Sequence, residues 1–161
     1  MFGILKKSNK KLEIKAPIKG KLIKIEDVDD PVFAQKMVGD GVAIDPKENK
    51  VLSPIDGEVI EVFPTKHALG LKTENNVEIL IHIGLDTVDL KGEGFEVHVK
   101  AQDKVKIGDP LVTFDREILK EKAKSLIIPV LITNYQEMKA IEIKEGEINP
   151  IEDTIMTVKT K

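Results

Sequence analysis

Three side chains in this 161-residue sequence could take up or release a proton near neutral pH: His67, His82 and His98. Cysteine is absent, which excludes disulfides, thiolate metal sites and thiol nucleophiles together. His82 interrupts the run Val77–Leu90, Val-Glu-Ile-Leu-Ile-His-Ile-Gly-Leu-Asp-Thr-Val-Asp-Leu. Period two puts Val77, Ile79, Ile81 and Ile83 on one face and Glu78, Leu80 and His82 on the other. Both faces are partly apolar, so the expectation is a strand covered on both sides, with His82 near the exposed end where Gly84 breaks the run. A lone imidazole in such a strand also has a plainer reading, a core histidine satisfying one hydrogen bond.

A second imidazole changes that balance. His67 lies in Pro64-Thr65-Lys66-His67-Ala68-Leu69-Gly70-Leu71, and a turn at Glu74-Asn75-Asn76 would join that strand to the His82 strand as a hairpin. A pairing centred between Glu74 and Asn75 sets position 67 opposite position 82, with Cβ atoms about 5 Å apart. Two imidazoles so placed could bind a metal, or could form a nucleophile with a supporting group. A metal on His67 and His82 would need a third ligand such as Asp40 or Asp86, and no further histidine or cysteine is left to complete a zinc site. A neutral imidazole is a good nucleophile at neutral pH, and the second, held for example by the Thr65 hydroxyl, could donate to an acquired anion. Thr87 offers another hydroxyl. Asp40 and Asp86 are turn residues by default, and their charge beside a histidine would attract a basic docking partner. His98 alternates with Glu96 and Lys100 and is expected at the surface.

The elements that must position these groups read as short strands. Ala16-Pro17-Ile18-Lys19-Gly20 returns 37 positions later as Ser53-Pro54-Ile55-Asp56-Gly57, each followed by an alternating strand, with proline leading the turn and glycine supplying it. Two copies are too few for a solenoid, so two related sheet corners should pack together in an antiparallel β-sandwich or flattened barrel. Asp30 caps a short helical turn beginning at Pro31. Gly39-Asp40-Gly41 predicts a tight turn with positive φ, after which Val42–Pro46 re-enters the sheet. Lys91-Gly92-Glu93-Gly94 is a flexible link. Asp115 caps a helix from Arg116 to about Lys124, Ile127–Thr133 is a strand, a helical turn spans Asn134–Lys139, and strands at Ala140–Ile143 and Asp153–Val158 complete an all-β domain.

Composition limits the function classes. Lys and Arg total 25 against 28 Asp and Glu, a net charge of −3, and no basic arm stands out, so nucleic acid is not an expected partner. No apolar stretch reaches the roughly 20 residues that cross a bilayer, and the segment before Leu12 is too weakly apolar for a secretory signal. Residues 1–12 read as a solvated tail, residues 13–161 as one domain, and the location as cytoplasmic. Phosphate-binding Gly-rich loops and the Gly-x-Ser-x-Gly elbow are missing, so nucleotide binding and serine hydrolysis lack motif support. A phosphoryl group would have to come from another protein or a small donor.

Val77–Leu90 continuing through Lys91-Gly92-Glu93-Gly94-Phe95, together with Gly39–Ile44, Thr65-Lys66-His67-Ala68 and Glu121-Lys122-Ala123-Lys124-Ser125, closely resembles the glucose-family enzyme IIA of the bacterial phosphoenolpyruvate-dependent sugar phosphotransferase system. The resemblance runs from about Ala16 to the C-terminus. It implies a β-sandwich, a phosphorylated histidine at His82, a second active-site histidine at His67 held by Thr65, and flanking aspartates at Asp40 and Asp86. An apolar rim including Val42, Phe63 and Ile83 would shield the intermediate and dock partners. It further implies acceptance of phosphate from the histidine-containing phosphocarrier protein and delivery to a cysteine of the sugar-specific enzyme IIB, close to the membrane through the permease, by a monomer without cofactor. One departure is Asn76, where the family has glycine; asparagine also tolerates positive φ. The competing reading is a biotinyl or lipoyl carrier, suggested by the Pro-x-x-Gly corners, Val105–Asp109 and Met138-Lys139-Ala140. About thirty residues and a helix separate that Gly-Asp turn from Lys139, too far for one hairpin.

Overall fold

The structure is a computed structural model that describes residues 11–161. Most of the expected N-terminal tail lies outside the described residues, and its last two positions already belong to a strand. In chain order the strands are β1 (Lys11–Lys15), β2 (Gly20–Lys24), β3 (Asp40–Pro46), β4 (Lys50–Leu52), β5 (Gly57–Val62), β6 (Ala68–Lys72), β7 (Glu78–His82), β8 (Phe95–Val97), β9 (Lys104–Val105), β10 (Pro110–Phe114), β11 (Ile128–Ile132), β12 (Met138–Ile143), β13 (Glu147–Ile148) and β14 (Thr154–Thr160). Helices are short: α1 (Pro31–Ala34), α2 (Arg116–Lys122), and single 3-10 turns at Ile25–Asp27, Val88–Leu90 and Tyr135–Glu137.

An eight-stranded antiparallel sheet in the order β13-β2-β3-β11-β7-β6-β5-β9 faces two three-stranded sheets, β1-β14-β12 and β4-β10-β8. The expected antiparallel sandwich is therefore present. Its core lies between the sheets, where Val42, Ile44, Leu69, Leu71, Ile79, Ile81 and Val130 of the large sheet meet Ile14, Val51, Phe114 and Met156 of the small ones. Burying each such aliphatic side chain is worth about 1.5–3 kcal/mol.

The two repeated corners bond each other reciprocally. Lys15 N–H donates to the Pro54 carbonyl at 3.0 Å, and Leu52 N–H donates to the Pro17 carbonyl at 2.8 Å. The positions are equivalent across the repeat, so the corners are related by a local pseudo-twofold. Their glycines, expected to supply the turns, do not have positive φ. They admit the neighbouring strand: a Cβ on Gly20 would sit 2.3 Å from the Asp45 carbonyl oxygen, and one on Gly57 would sit 2.3 Å from that of Lys72.

A similar correction applies to Gly39-Asp40-Gly41. Neither glycine has positive φ, and Asp40 already begins β3. A Cβ on Gly41 would lie 2.2 Å from the Val130 carbonyl oxygen of β11, so close strand approach explains the glycine. The Lys91–Gly94 segment is a hydrogen-bonded turn rather than a loose link: Glu93 N–H donates to the Leu90 carbonyl and Phe95 N–H to that of Gly92. Both expected caps are made. The Asp30 carboxylate accepts from Val32 N–H, and that of Asp115 accepts from Glu117 and Ile118 N–H.

The outer face of the large sheet positions the site. A second cluster of Ile25, Val28, Phe33, Ala43, Leu85 and Leu131 packs there, with Leu80 against it. Strand β7 is thus covered on both faces, as its two-sided apolar pattern predicts. Its last residue, His82, lies half-buried at the edge of that cover.

Candidate active site

His82 ends β7, and its Nδ1 lies 2.8 Å from the Gly84 carbonyl oxygen. A carbonyl can only accept, so Nδ1 carries the proton and the lone pair of the neutral ring resides on Nε2. Burial is the first cause that pushes the His82 pKa down from 6.5 to about 4, and the neighbouring His67 is the second. Asp30 and Asp86 oppose that shift by favouring the cation. The ring is therefore neutral at pH 7 and has a free nitrogen.

His67 reaches the same place from a turn. Lys66 N–H donates to the Phe63 carbonyl, Lys66 has φ of 63°, and β6 begins one residue after His67. Its Nδ1 stands 2.7 Å from the Thr65 hydroxyl. Burial lowers its pKa as well. The two imidazole centroids are 4.8 Å apart with planes at 78°. The sequence thus brings together the pair and the Thr65 support that were expected.

The register that joins them differs by one residue from the expected one. Ala68, not His67, pairs with His82, and Leu69 and Leu71 pair with Ile81 and Ile79. The cause is the hairpin loop. Asn76 N–H donates to the Thr73 carbonyl, Asn76 has φ of 64°, and Thr73 N–H then donates to the Val77 carbonyl. Three loop residues, with the last in the left-handed region, replace the two-residue turn and move the centre onto Asn75. This register also puts leucine against isoleucine in the core. His67 escapes the inward phase of Leu69 and Leu71 because it precedes the strand.

The other expected residues are less uniform. Asp86 is exposed, with φ of 57°, in the loop after His82. Asp40 is half-buried; its carboxylate accepts from Gly41 N–H at 2.8 Å and pairs with Lys36 at 3.5 Å. Phe63 packs edge-on against His67 at 5.7 Å between centroids, consistent with a place in the rim. Val42 and Ile83 are fully buried in the main core and cannot form an accessible rim. Phe33, which carries no local signal of a site role, packs edge-on against His82 at 4.9 Å and is itself nearly buried. Asp30 was read only as a cap and also acts on His82. Among the described residues no three His, Asp or Glu side chains come together to hold a metal, and no helix is long and apolar enough to cross a membrane. Lys139 is an exposed residue at a bulge in β12, not the tip of a hairpin at Gly108-Asp109.

Residues 12–138 match the family model described as phosphoenolpyruvate-dependent sugar phosphotransferase system, EIIA 1. The chain belongs to this enzyme IIA family. It is 52% identical to a glucose-specific EIIA component of Staphylococcus epidermidis, over 96% of this chain and 97% of that one. To the glucose-specific EIIA component of Halalkalibacterium halodurans it is 49% identical, over 100% and 97%. Its fold matches the solved glucose permease IIA from Mycoplasma capricolum with a TM-score of 0.85 and 41% identity, covering 93% of this chain and 97% of that one. The resemblance drawn from the separated motifs is thus borne out at the level of the enzyme IIA family and its β-sandwich.

Proposed function

We propose that this enzyme IIA carries a phosphoryl group on Nε2 of His82 between the histidine-containing phosphocarrier protein and a cysteine of a sugar-specific enzyme IIB. The observation that carries the reading is the His82 Nδ1 to Gly84 carbonyl bond, which leaves a lone pair on Nε2 of a ring packed against His67. In the first step Nε2 attacks the phosphorus of the donor phosphohistidine, a new N–P bond forms, the donor N–P bond breaks, and the donor imidazole leaves with its electron pair. In the second step the enzyme IIB thiolate attacks phosphorus and His82 leaves.

Attack through Nε2 puts positive charge on a ring that keeps its Nδ1 proton. The Gly84 carbonyl and the Asp30 and Asp86 carboxylates favour that charge. His67 serves the phosphoryl oxygens: a Thr65 hydroxyl donating to Nδ1 would fix the proton on its Nε2, ready to donate. Phe33 and Phe63 shelter the intermediate from water. Asp40 and Asp86 attract basic partner surfaces.

The unit of action is one cytoplasmic domain that includes all of β1 from Lys11 onward, a monomer without cofactor that meets the membrane only through its permease partner. The relatives named glucose-specific make a glucose permease the expected recipient. Incubation with phosphoenolpyruvate, enzyme I and the phosphocarrier protein, followed by mapping of acid-labile phosphate, tests this: label should sit on His82, and label elsewhere or none would refute it.

A further inference from the structure

The loop after β7 has an unusual backbone. Gly84 has φ of 81° and Asp86 has φ of 57°, two left-handed residues within three positions. A five-residue loop of that shape needs closure, because each such residue other than glycine costs about 1 kcal/mol or more and has extended alternatives. The structure shows two closures. Leu85 is bonded through its backbone to the α2–β11 connection: its N–H donates to the Ser125 carbonyl at 2.9 Å, and its carbonyl accepts from Lys124 N–H at 3.0 Å. The other closure is a side chain.

Thr87 has no exposed surface, and its hydroxyl donates to the Ile83 carbonyl at 2.7 Å. Its methyl group occupies the space a side chain on Gly84 would need, since a Cβ there would lie 2.6 Å from Thr87 Cγ2. The hydroxyl therefore joins the two ends of the loop, and the methyl presses on the residue between them whose carbonyl reaches His82. Ile83 and Gly84 share a peptide unit, so holding the Ile83 carbonyl fixes the plane from which the Gly84 backbone departs. Solvent cannot replace the hydroxyl, because Ile83 is fully buried.

We propose that Thr87 is a positioning residue for His82: its buried hydroxyl clasps the loop whose Gly84 carbonyl keeps the imidazole in the Nδ1–H form. The Thr87 hydroxyl is bonded to the Ile83 carbonyl, so it acts through the backbone. The inference extends the phosphohistidine reading. Its main readout, the tautomer of the free protein, does not depend on that reading.

The test compares Thr87→Val, which keeps shape and methyl but removes the hydroxyl, with Thr87→Ser, which keeps the hydroxyl and removes the methyl. Full-length protein labelled with 15N in the histidine rings reports the His82 tautomer directly. Wild type and Thr87→Ser should show one Nδ1–H form, whereas Thr87→Val should show a mixture with the Nε2–H form. Phosphoryl acceptance from the phosphocarrier protein should then slow about tenfold in Thr87→Val, with an unchanged KM for the donor. A folded Thr87→Val that keeps the pure Nδ1–H form would overturn the proposal. So would a Thr87→Ser that loses it, and Thr87→Ala, which also lacks the hydroxyl, takes the place of the valine variant should that one not fold. If the tautomers behave as stated but no variant, nor wild type, accepts phosphate, the function fails and the clasp stands.

Discussion

Nδ1 of His82 lies 2.8 Å from the carbonyl oxygen of Gly84. That contact and the burial of the ring have opposite effects on its basicity, and burial is the larger, leaving the pKa at about 4. Phosphoryl acceptance should therefore be flat from pH 8 down to about 5.5 and decline only as pH approaches 4, where the ring protonates and loses its lone pair. A single-turnover pH profile checks this; a decline centred near 6.5 would show an ordinary, solvated imidazole.

The same shift is a statement about stability. Between pH 6.5 and about 4 the unfolded chain holds a proton on residue 82 that the folded chain lacks, so acidification through this window favours unfolding. The slope attributable to His82 should approach roughly 1.4 kcal/mol per pH unit at its steepest. Urea titrations of wild type and His82→Gln between pH 4 and 7 isolate it: the variant should lose stability less steeply. Its residual slope includes His67, whose pKa burial also lowers.

The two imidazoles should separate by role, since their centroids are 4.8 Å apart but His82 Nδ1 faces the Gly84 carbonyl whereas His67 Nδ1 faces the Thr65 hydroxyl. His82→Ala should abolish phosphorylation. His67→Gln should still accept phosphate yet pass it to enzyme IIB roughly 10² to 10³ times more slowly, the usual cost of losing one donor to a developing charge. Failure of His67→Ala alone to accept phosphate would reverse the assignment.

Phe33 packs edge-on against His82 at 4.9 Å and is nearly buried. Phe33→Ala should admit water, raise the His82 pKa toward 6.5 and shorten the lifetime of the phosphorylated protein. Truncation should also cost about 3 kcal/mol of stability. An NMR titration of the His82 ring measures the first effect, and an unchanged pKa would mean that other groups keep the ring dry.

Much of this site was legible because its signals are local. Asp30 before Pro31 and Asp115 before Arg116 announced their caps, and the two-sided apolar pattern of Val77–Ile83 announced a covered strand. Thr65 and His67 are two residues apart, so their bond needed no knowledge of the fold. What was illegible depends on distant chain. Gly41 looks like a turn glycine until Val130 arrives against it from β11, and Phe33 looks like any helix residue until α1 folds over the outer face. Ile83 and Val42 look like rim residues in the sequence because adjacency to a site does not reveal which face of a strand is sealed. The hairpin register does carry a signal in the sequence: Leu69 and Leu71 belong with Ile81 and Ile79, which only the three-residue loop allows.

That loop gives the last prediction. Asn76 holds φ of 64°, and its carbonyl accepts from the Asn134 side chain at 2.7 Å, while the Asn134 side-chain oxygen accepts from Glu78 N–H at 3.0 Å. Asn76→Gly should change stability by no more than about 0.5 kcal/mol, since easier backbone geometry is offset by a floppier unfolded chain. Asn76→Val should cost about 1–2 kcal/mol, because a β-branched residue fits that region poorly. Its phosphorylation rate at low temperature should nonetheless stay near wild type. A slip to the two-residue register would turn every residue of β6 to the opposite face and expose Leu69 and Leu71, which costs far more than the local strain. A thermal melt and an acceptance assay on the same samples decide it: a valine variant that is stable but slow to accept phosphate would mean that the turn, and not the core, aligns the two histidines.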